Sequence, residues 1–374
     1  MKKVLVFGMT ENPGGVESVI MNYYRNIDRN KIQFDFLCNT EIVAYSDEIE
    51  LLGGKIYKIT SRRKNRFKFY KELNSFFKQH ASEYEAIWVN VCSLANIDYL
   101  KYAKKYNIKK RIIHAHNSQN MDSFLRGLIH RLNRLIISKY ATDYWTCSNE
   151  ASMWFYSKKI IKSTKYLIVK NAIDLSKFKY NEIIRKKYRK ELNLEGKIVF
   201  GNVARLHAEK NHIFLLKVFY RIQKKIKNSI LVLVGDGEEK NKIENMIKKL
   251  GIKNKVILLG VRDDVSNLMQ AMDAFIFPSN FEGLGIVAIE AQTAGLPVFA
   301  SKYVIPKEVE IDKDIFNFID LKEGEEYWAT KIINVMSNIK IKRITRRSKI
   351  DLFIKKGYSI EEESKKIEKK LINK

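Results

Sequence analysis

The 374-residue sequence lacks an uninterrupted apolar run of about 18 residues, which a membrane-spanning helix would need. We therefore expect no membrane-spanning segment. The start, MKKVLVFGMTENPGG, has only a short apolar run before Glu11, which is too brief for a signal peptide and predicts a first β-strand. The three cysteines, Cys38, Cys92 and Cys147, are odd in number, widely spaced and set among apolar residues. This pattern favours a reduced, cytosolic protein over a disulfide framework or a zinc site.

Acidic residues are also scarce, with 42 Asp and Glu against 69 Lys and Arg, and the net charge is +27. Residues 55–140 alone hold 19 Lys/Arg and 5 Asp/Glu. Two basic stretches lie in this window, 61–80 and 123–140, and in the second apolar residues recur at helical spacing beside arginines. Such a helix favours an anionic membrane surface as partner, while composition bias and simple docking on a sheet are the alternatives. No basic repeat interleaved with aromatic residues occurs, so we do not expect nucleic-acid binding.

The chain is longer than one hydrophobic core usually supports, and its 45% hydrophobic and 11% aromatic residues can fill substantial cores. Apolar runs alternate with helical stretches throughout. The runs are KVLVFG (3–8), FDFLC (34–38), AIWVNV (86–91), KRIIHAH (110–116) and YWTCS (144–148), then IVFGNVARL (198–206), ILVLVGDG (230–237), VILLGV (256–261), AFIFPS (274–279) and LPVFAS (296–301). This pattern predicts an α/β protein with two doubly wound, Rossmann-like domains of parallel strands.

The alternation restarts near NAIDLSKFKY (171–180), which divides the chain into three parts. We expect an N-terminal domain over 1–175, a C-terminal domain over 176–357 and a closing helix over 358–374 that could pack back towards the N-terminal domain. Open parallel sheets bind ligands beyond the carboxyl ends of their strands. Distinctive residues follow those ends: Gly14, Gly15, His116, Arg205, Asp236 and Glu282. Two sheets facing a central cleft would bring them together.

The first strand-to-helix turn, GMTENPGGVES (8–18), lacks the GxGxxG spacing of a dinucleotide site, which argues against a nicotinamide enzyme. Gly14 and Gly15 allow close backbone approach beside a positive helix N-terminus, although Pro-Gly-Gly is also a common plain turn. In RIIHAHN, His116 is the candidate for touching a sugar or phosphate, and His114 is expected to be structural. No carboxylate or cysteine cluster accompanies the two histidines, which disfavours a metal site.

The segment NVARLHAEKNH (202–212) places Arg205 at a strand end and Lys210 at the start of the next helix. A guanidinium and an ammonium beside a helix N-terminus can clamp a diphosphate, and two solvated surface cations are the alternative. Arg262, in GVRDDV (260–265), is a weaker candidate for a nucleobase pocket. Asp312-Lys313-Asp314 spells the DxD string of metal-dependent transferases but lies away from the predicted nucleotide strands, so we interpret it as chance.

The stretch PSNFEGLGIVAIEAQTAGLPVFAS (278–301) carries Glu282 and Glu290 in otherwise almost uncharged surroundings. A helix beginning near Gly285 would place Glu290 about 7.5 Å along its axis. The two carboxylates would therefore occupy different levels, unlike a glycosidase pair that faces one bond. A staggered pair around an amide-rich helix start suits a ligand with an anionic middle and hydroxyls at both ends, which describes a nucleotide sugar.

These motifs resemble glycosyltransferase family 4, within the glycosyl transferases group 1, the retaining enzymes of GT-B fold. The resemblance rests on the E-x7-E segment from Glu282 to Glu290 and covers nearly the whole chain. Further matching motifs are Gly14-Gly15-Val16-Glu17, His114-Ala115-His116, Asn171-Ala172-Ile173-Asp174, Arg205-Leu206 and Glu209-Lys210-Asn211-His212. The chain is most similar to bacterial capsular and exopolysaccharide glycosyltransferases. One departure is Ala204, where a glycine commonly precedes the arginine.

The resemblance implies a role for each matched residue. Glu290 would bind the ribose hydroxyls and Glu282 the hydroxyls of the donor sugar. Arg205 and Lys210 would neutralise the leaving diphosphate, helped by the backbone amides of Gly283, Leu284, Gly285 and Ile286. Gly15 would approach the donor phosphates, and His116 would lie near the reacting sugar.

The expected function is that of a retaining, metal-independent hexosyltransferase without a cofactor. It would move a sugar from a nucleotide donor, most simply a UDP-sugar, to a glycan or lipid-linked glycan acceptor in surface polysaccharide synthesis. We expect it in the cytoplasm, peripheral at the inner face of the cell membrane. An epimerase of the same architecture, which needs no acceptor, and a non-enzymatic protein that binds acidic lipid or polymer are the alternatives.

Overall fold

The computed structural model describes residues 1–117, 123–341 and 346–372. They form two compact units, Met1–Ile173 together with Gly357–Lys374, and Asp174–Lys356. These divisions lie within two residues of the ones drawn from the sequence. In the part of the chain just defined, no helix combines the length and the apolarity needed to cross a bilayer.

Seven strands form the sheet of the first unit: β1 (Lys2–Phe7), β2 (Ile32–Cys38), β3 (Ile56–Lys58), β4 (Ala86–Val91), β5 (Lys110–Ala115), β6 (Asp143–Thr146) and β7 (Tyr166–Ile168). All pairings are parallel and the order is β3-β2-β1-β4-β5-β6-β7. Its helices are α1 (Gly15–Asn26), α2 (Ser46–Leu51), α3 (Arg66–His80), α4 (Asp98–Lys105), α5 (Phe124–Ile136), α6 (Asn149–Phe155) and α7 (Lys158–Ile161). The strand order reverses between β1 and β4, the position at which such sheets bind ligands.

The second unit repeats this plan with six strands: β8 (Ile198–Val203), β9 (Ser229–Val234), β10 (Val256–Leu258), β11 (Ala274–Phe277), β12 (Val298–Ser301) and β13 (Phe316–Ile319). The order is β10-β9-β8-β11-β12-β13, again all parallel, so the reversal lies between β8 and β11. Its helices are α8 (Leu175–Phe178), α9 (Glu182–Glu191), α10 (His212–Lys225), α11 (Lys240–Lys249), α12 (Val265–Ala271), α13 (Ile286–Thr293), α14 (Gly324–Ile341) and α15 (Ile350–Lys355). The predicted α/β class with two doubly wound sheets is confirmed.

The central strands are buried on both faces, which explains why they read as continuous apolar runs rather than as alternating patterns. Every residue of β2 and of β9 is buried. Trp88 of β4 and Trp328 of α14 are fully buried, one in each unit. The two cores fix the strand ends, and the site residues project from those ends.

The last helix, α16 (Ile360–Ile372), belongs to the first unit and packs against α1. Just before α16 begins, Ser359 pairs with Ile173 in a short parallel β-bridge. The backbone N–H of Ile173 donates to Tyr358 O at 3.0 Å, and that of Ile360 donates to Ile173 O at 3.0 Å. The first unit is therefore completed by the end of the chain.

Candidate functional site

The loop after β8 carries Arg205 and is pressed against the loop after β9. The backbone N–H of Ala204 donates to Val234 O at 3.0 Å, and that of Leu206 donates to Asp236 O at 2.9 Å. Gly235 has φ +131°, and a Cβ there would lie 2.1 Å from Ala204 O. Only glycine permits this approach. The Arg205 side chain is exposed, and its guanidinium has no hydrogen-bond or ion-pair partner within the described ranges.

The loop that follows, 207–211, is joined to the loop after β11. The backbone N–H of Asn280 donates to Glu209 O at 2.7 Å, and Nδ2 of Asn211 donates to Pro278 O at 3.0 Å. Asn211 has φ +57°, a left-handed conformation that asparagine tolerates, and α10 begins directly after it. Lys210 and Glu282 are thereby brought together although 72 positions separate them.

The ammonium Nζ of Lys210 lies 2.7 Å from Oε1 of Glu282. The same oxygen accepts a hydrogen bond from Ser279 Oγ at 2.9 Å. The side chains are mostly enclosed, with 21% of Lys210 and 9% of Glu282 exposed. The pair thus holds a carboxylate and an ammonium side by side at the switch point of the sheet.

Helix α13 begins beside this pair, and its start depends on a glycine. Gly285 is the N-cap with φ +79°, and a Cβ there would lie 2.9 Å from the Phe277 ring. Leu284 is buried and Gly283 is exposed, so the turn is anchored on one side and open on the other. The first amides of a helix lack internal partners and carry partial positive charge. The amides around Gly283 to Ile286 can therefore accept an anion.

Glu290 lies four residues into α13, about 6 Å along the axis from Ile286. It is half-buried, and its carboxylate has no hydrogen-bond or ion-pair partner among residues 1–117, 123–341 and 346–372. Burial raises the pKa of Glu290 to about 7. An unpaired carboxylate of this kind is ready to accept hydrogen bonds from ligand hydroxyls.

Arg262 is at the carboxyl end of β10 but is already engaged. Its Nε and Nη2 donate to the two oxygens of Asp264 at 2.8 and 2.6 Å. Tyr188 donates to the same carboxylate at 2.7 Å. The Arg262 guanidinium and this hydroxyl hold the pKa of Asp264 down to about 2. Arg262 is therefore fixed by a bidentate ion pair and is less free than Arg205.

In the first unit, Gly14 and Gly15 stand at the N-terminus of α1. A Cβ on Gly15 would meet nothing within 4 Å, so the approach to this helix end is open. The backbone N–H of Gly14 donates to Oε2 of Glu17 at 3.2 Å, and Thr10 Oγ1 donates to the other oxygen at 2.5 Å. Glu17 thus caps the helix from within, a contact that the sequence analysis did not identify.

His116 follows β5 and lies over the buried His114, with ring centroids 4.0 Å apart. Asn90 donates through Nδ2 to Phe7 O at 3.2 Å, which turns its Oδ1 towards Nε2 of His116 at 2.9 Å. Nε2 therefore carries the proton and Nδ1 keeps a lone pair. Burial lowers the pKa of His116 to about 3, so its ring is neutral at physiological pH. Asn90, which sets this tautomer, is a contact of the candidate site that sequence reasoning missed.

The DxD string has a structural explanation. Lys349 Nζ donates to Asp312 Oδ1 at 2.9 Å and to Asp314 Oδ2 at 2.6 Å. The two carboxylates thus fasten α15 to the segment before β13. Within the described chain, no group of three His, Cys, Asp or Glu side chains has the arrangement of a metal site.

Comparison with known proteins identifies the group to which the chain belongs. The sequence model described as glycosyl transferases group 1 matches residues 184–351, which lie in the second unit. The putative glycosyltransferase EpsF of Bacillus subtilis (strain 168) is 30% identical over 339 residues, covering 88% of this chain and 87% of EpsF. The chain belongs to the glycosyl transferases group 1. It is a glycosyltransferase of glycan biosynthesis, and its assignment to family 4 within the group stays a prediction.

Two further comparisons concern one sequence relative and one solved structure. The UDP-Gal:α-D-GlcNAc-diphosphoundecaprenol α-1,3-galactosyltransferase of Escherichia coli is 31% identical to this glycosyltransferase over 180 residues, 46% of each chain. The crystal structure of HepE from Anabaena in complex with UDP superposes with a TM-score of 0.72 at 18% identity, covering 99% of this chain and 95% of HepE. The similarity confirms the expected GT-B fold of the glycosyltransferase.

Proposed function

We propose that this glycosyltransferase transfers a sugar from a UDP-sugar to a glycan or lipid-linked glycan acceptor, with retention of anomeric configuration and without a metal ion. The reaction would serve surface polysaccharide synthesis in the cytoplasm, at the inner face of the cell membrane. The names of two relatives support the donor and the acceptor class. HepE was crystallised with UDP, and the galactosyltransferase of E. coli is named for a UDP-Gal donor and an undecaprenyl-diphosphate-linked acceptor.

One observation carries the donor site most directly: among the residues that the structure describes, Arg205 and Glu290 have no hydrogen-bond or ion-pair partner, and both lie in the same unit as the amide-rich start of α13. A UDP-sugar has ribose hydroxyls, a diphosphate and sugar hydroxyls in that order. Glu290 would accept hydrogen bonds from the ribose. The α13 amides and Arg205 would bind the diphosphate, and Oε2 of Glu282 would accept from the sugar.

The chemistry of the transfer follows from these charges. As the anomeric C–O bond breaks, the sugar acquires positive character and the diphosphate takes on the electron pair of the bond. Arg205, Lys210 and the helix amides offset that developing negative charge, and each such group contributes about 2.7–4 kcal/mol in comparable sites. We therefore assign Arg205, Lys210 and Glu282 to catalysis, and His116, beside the reacting sugar, is the fourth catalytic candidate. Glu282 is already bonded to Lys210 and Ser279, which suits a positioning group better than a covalent nucleophile.

The first unit would bind the acceptor and would also contribute groups that contact the donor. The neutral His116 ring would accept a hydrogen bond from a donor-sugar hydroxyl through Nδ1, because Nε2–H is committed to Asn90. Gly14 and Gly15 would admit the donor phosphates to the N-terminus of α1.

In the second unit, Arg262 would line the nucleobase pocket while held by Asp264.

Calorimetry with UDP, followed by UDP-release assays with candidate donor sugars and lipid-linked acceptors, tests the proposal. We expect UDP to bind and an acceptor-dependent release of UDP with one donor. NMR of the product would show the retained anomeric configuration. A sugar change without acceptor would indicate an epimerase instead, and absence of any UDP binding would overturn the assignment of the donor site.

A further inference from the structure

Helix α5 turns its apolar face away from the protein. Six large apolar side chains of this 13-residue helix are exposed, from 41% for Ile129 to 83% for Phe124. They are Phe124, Leu125, Leu128, Ile129, Leu132 and Leu135. At about 100° per residue they occupy one continuous face about 140° wide. In a helix docked through its apolar face, this is the face that would be buried.

The helix is held to its unit by polar groups on the opposite side. The buried His130 accepts through Nδ1 from the backbone N–H of Leu94 at 3.0 Å, and its Nε2 bonds Trp154 O at 3.2 Å. Asn133 donates to Leu94 O at 2.6 Å, and Arg134 donates to Tyr156 O at 2.7 Å. These bonds fix the rotation of the helix about its axis, so the outward direction of the apolar face is built into the fold.

The other basic stretch, residues 61–80, forms a helix that is docked through its apolar side chains. Helix α3 buries Phe69, Leu73, Phe76 and Phe77 and presents its charged residues to solvent. Of the two basic stretches identified in the sequence, the first therefore forms a helix docked through its apolar face, and the second forms an inverted helix, whose apolar face points outward. Of these two helices, only α5 leaves a continuous apolar face exposed, and such a face indicates a surface that binds a partner.

The charges on α5 indicate which kind of partner binds its apolar face. The helix carries three arginines and no acidic residue. Arg131 and Arg126 flank the apolar face on its two sides at helical spacing. A second copy would set arginines against arginines, whereas an anionic lipid surface offers acyl chains to the centre and phosphates to the margins.

We propose that the apolar face of α5 inserts into the interfacial region of an anionic membrane and docks the glycosyltransferase there. This inference rests on the proposed function, whose lipid-linked acceptor it would place within reach. Phe124 lies eight positions after His116, which limits the distance between their Cα atoms to at most about 29 Å. The reacting sugar would therefore lie no farther than about 30 Å from the docked helix and the lipid headgroups, where the diphosphate of a lipid-linked acceptor is found.

Flotation of the full chain with vesicles tests the docking. We expect binding to phosphatidylcholine vesicles that contain phosphatidylglycerol and a fall of at least tenfold in affinity for the double variant L128Q/L132Q. The variant R131Q should lose about fivefold, the change that corresponds to about 1 kcal/mol per arginine near the surface. The matched control is I183Q on α9, where an even more exposed aliphatic side chain of the second unit is removed and binding should persist. All substituted side chains are exposed, so folding should be intact.

Depth is measured with L128W and lipids brominated on their acyl chains. Quenching of the new tryptophan is expected. Binding without quenching would overturn insertion and leave adsorption of the basic surface only. Unchanged binding in L128Q/L132Q, or an oligomer that this variant converts to a monomer in sedimentation, would also overturn the proposal. Calorimetry with UDP in solution separates the two claims, since UDP binding should be equal in all variants, and its absence would contradict the donor site alone.

Discussion

Lys210 and Glu282 form one ion pair, with Nζ 2.7 Å from Oε1, although separate roles at the diphosphate and at the sugar were expected for them. The pair places a cation next to the carboxylate that would bind the sugar. Under the proposed function, this ion pair would contact both the leaving diphosphate and the transferred sugar of the donor.

Replacing Lys210 should therefore affect activity more than stability. We expect K210A to lower kcat/KM in a UDP-release assay about 10²–10³-fold, as for the loss of one transition-state charge contact. The free energy of unfolding should fall by about 1–2 kcal/mol, because Glu282 loses its cation but Lys210 is partly solvated. The double variant K210A/E282Q should regain stability in urea unfolding without regaining activity. Full activity in K210A would refute the role of the pair.

From the raised pKa of Glu290 we predict opposite effects of pH on the stability of the protein and on its binding of UDP. Its folded-state pKa of about 7 lies above the ordinary value, so its contribution to stability is complete below about pH 4.5 and is lost as pH rises through 7. E290Q should therefore raise Tm relative to the parent at pH 8, and the difference should shrink towards pH 5. Differential scanning calorimetry at both pH values measures this, with the exposed E361Q as control.

The same carboxylate should control UDP affinity. The ionised carboxylate accepts hydrogen bonds from ribose hydroxyls more strongly than the protonated form, so the parent should bind UDP more tightly at pH 8 than at pH 5.5. E290Q should bind at least tenfold more weakly at pH 8, in line with about 1.5–3 kcal/mol for hydrogen bonds to a charged group. Calorimetric titration across this range checks both points. A pH profile that is the same in E290Q and the parent would contradict the assignment.

Arg205 has no protein partner in the described ranges, so its removal should cost binding without cost to the fold. We expect R205A to change the free energy of unfolding by less than about 0.5 kcal/mol, as for other exposed positions. UDP binding should weaken at least tenfold. R63A, which removes another exposed arginine in the first unit, is the matched control in calorimetry and should bind UDP normally.

A substitution at Gly235 tests whether the loop after β8 must contact the loop after β9. A Cβ at this position would lie 2.1 Å from Ala204 O, so G235A should push the Arg205 loop away and destabilise the protein by more than about 2 kcal/mol. UDP binding should weaken in parallel. G196A is a matched control, since that glycine also has positive φ, +69°, but its Cβ would meet nothing within 4 Å. It should cost only the local strain, about 1–2 kcal/mol.

The central strands of both sheets were predictable because they are buried on both faces and read as apolar runs. The strands that the sequence analysis missed are β3, β7 and β13. All three stand at sheet edges and have only three or four residues. An edge strand buries less surface, so its pattern is hard to distinguish from a loop.

The candidate site was predictable where a motif is local and unpredictable where the fold creates the contact. The start of α13 and the stagger of Glu290 follow from the order of residues along one segment. The bonds from Lys210 to Glu282 and from Asn90 to His116 join distant positions, and periodicity carries no information on them. The same holds for α5, since helical spacing shows that one face is apolar but not whether that face points inward.

The bridge between Ile173 and Ser359 has a consequence for engineering. Both ends of the second unit leave the first unit at this bridge, so residues 174–356 are a cassette inserted into a single continuous fold. Joining Ile173 to Gly357 with a short linker should yield the first unit as one chain. If the second unit binds the donor, as proposed, grafting another cassette at the same junction should exchange the donor specificity of the glycosyltransferase and leave the first unit unchanged.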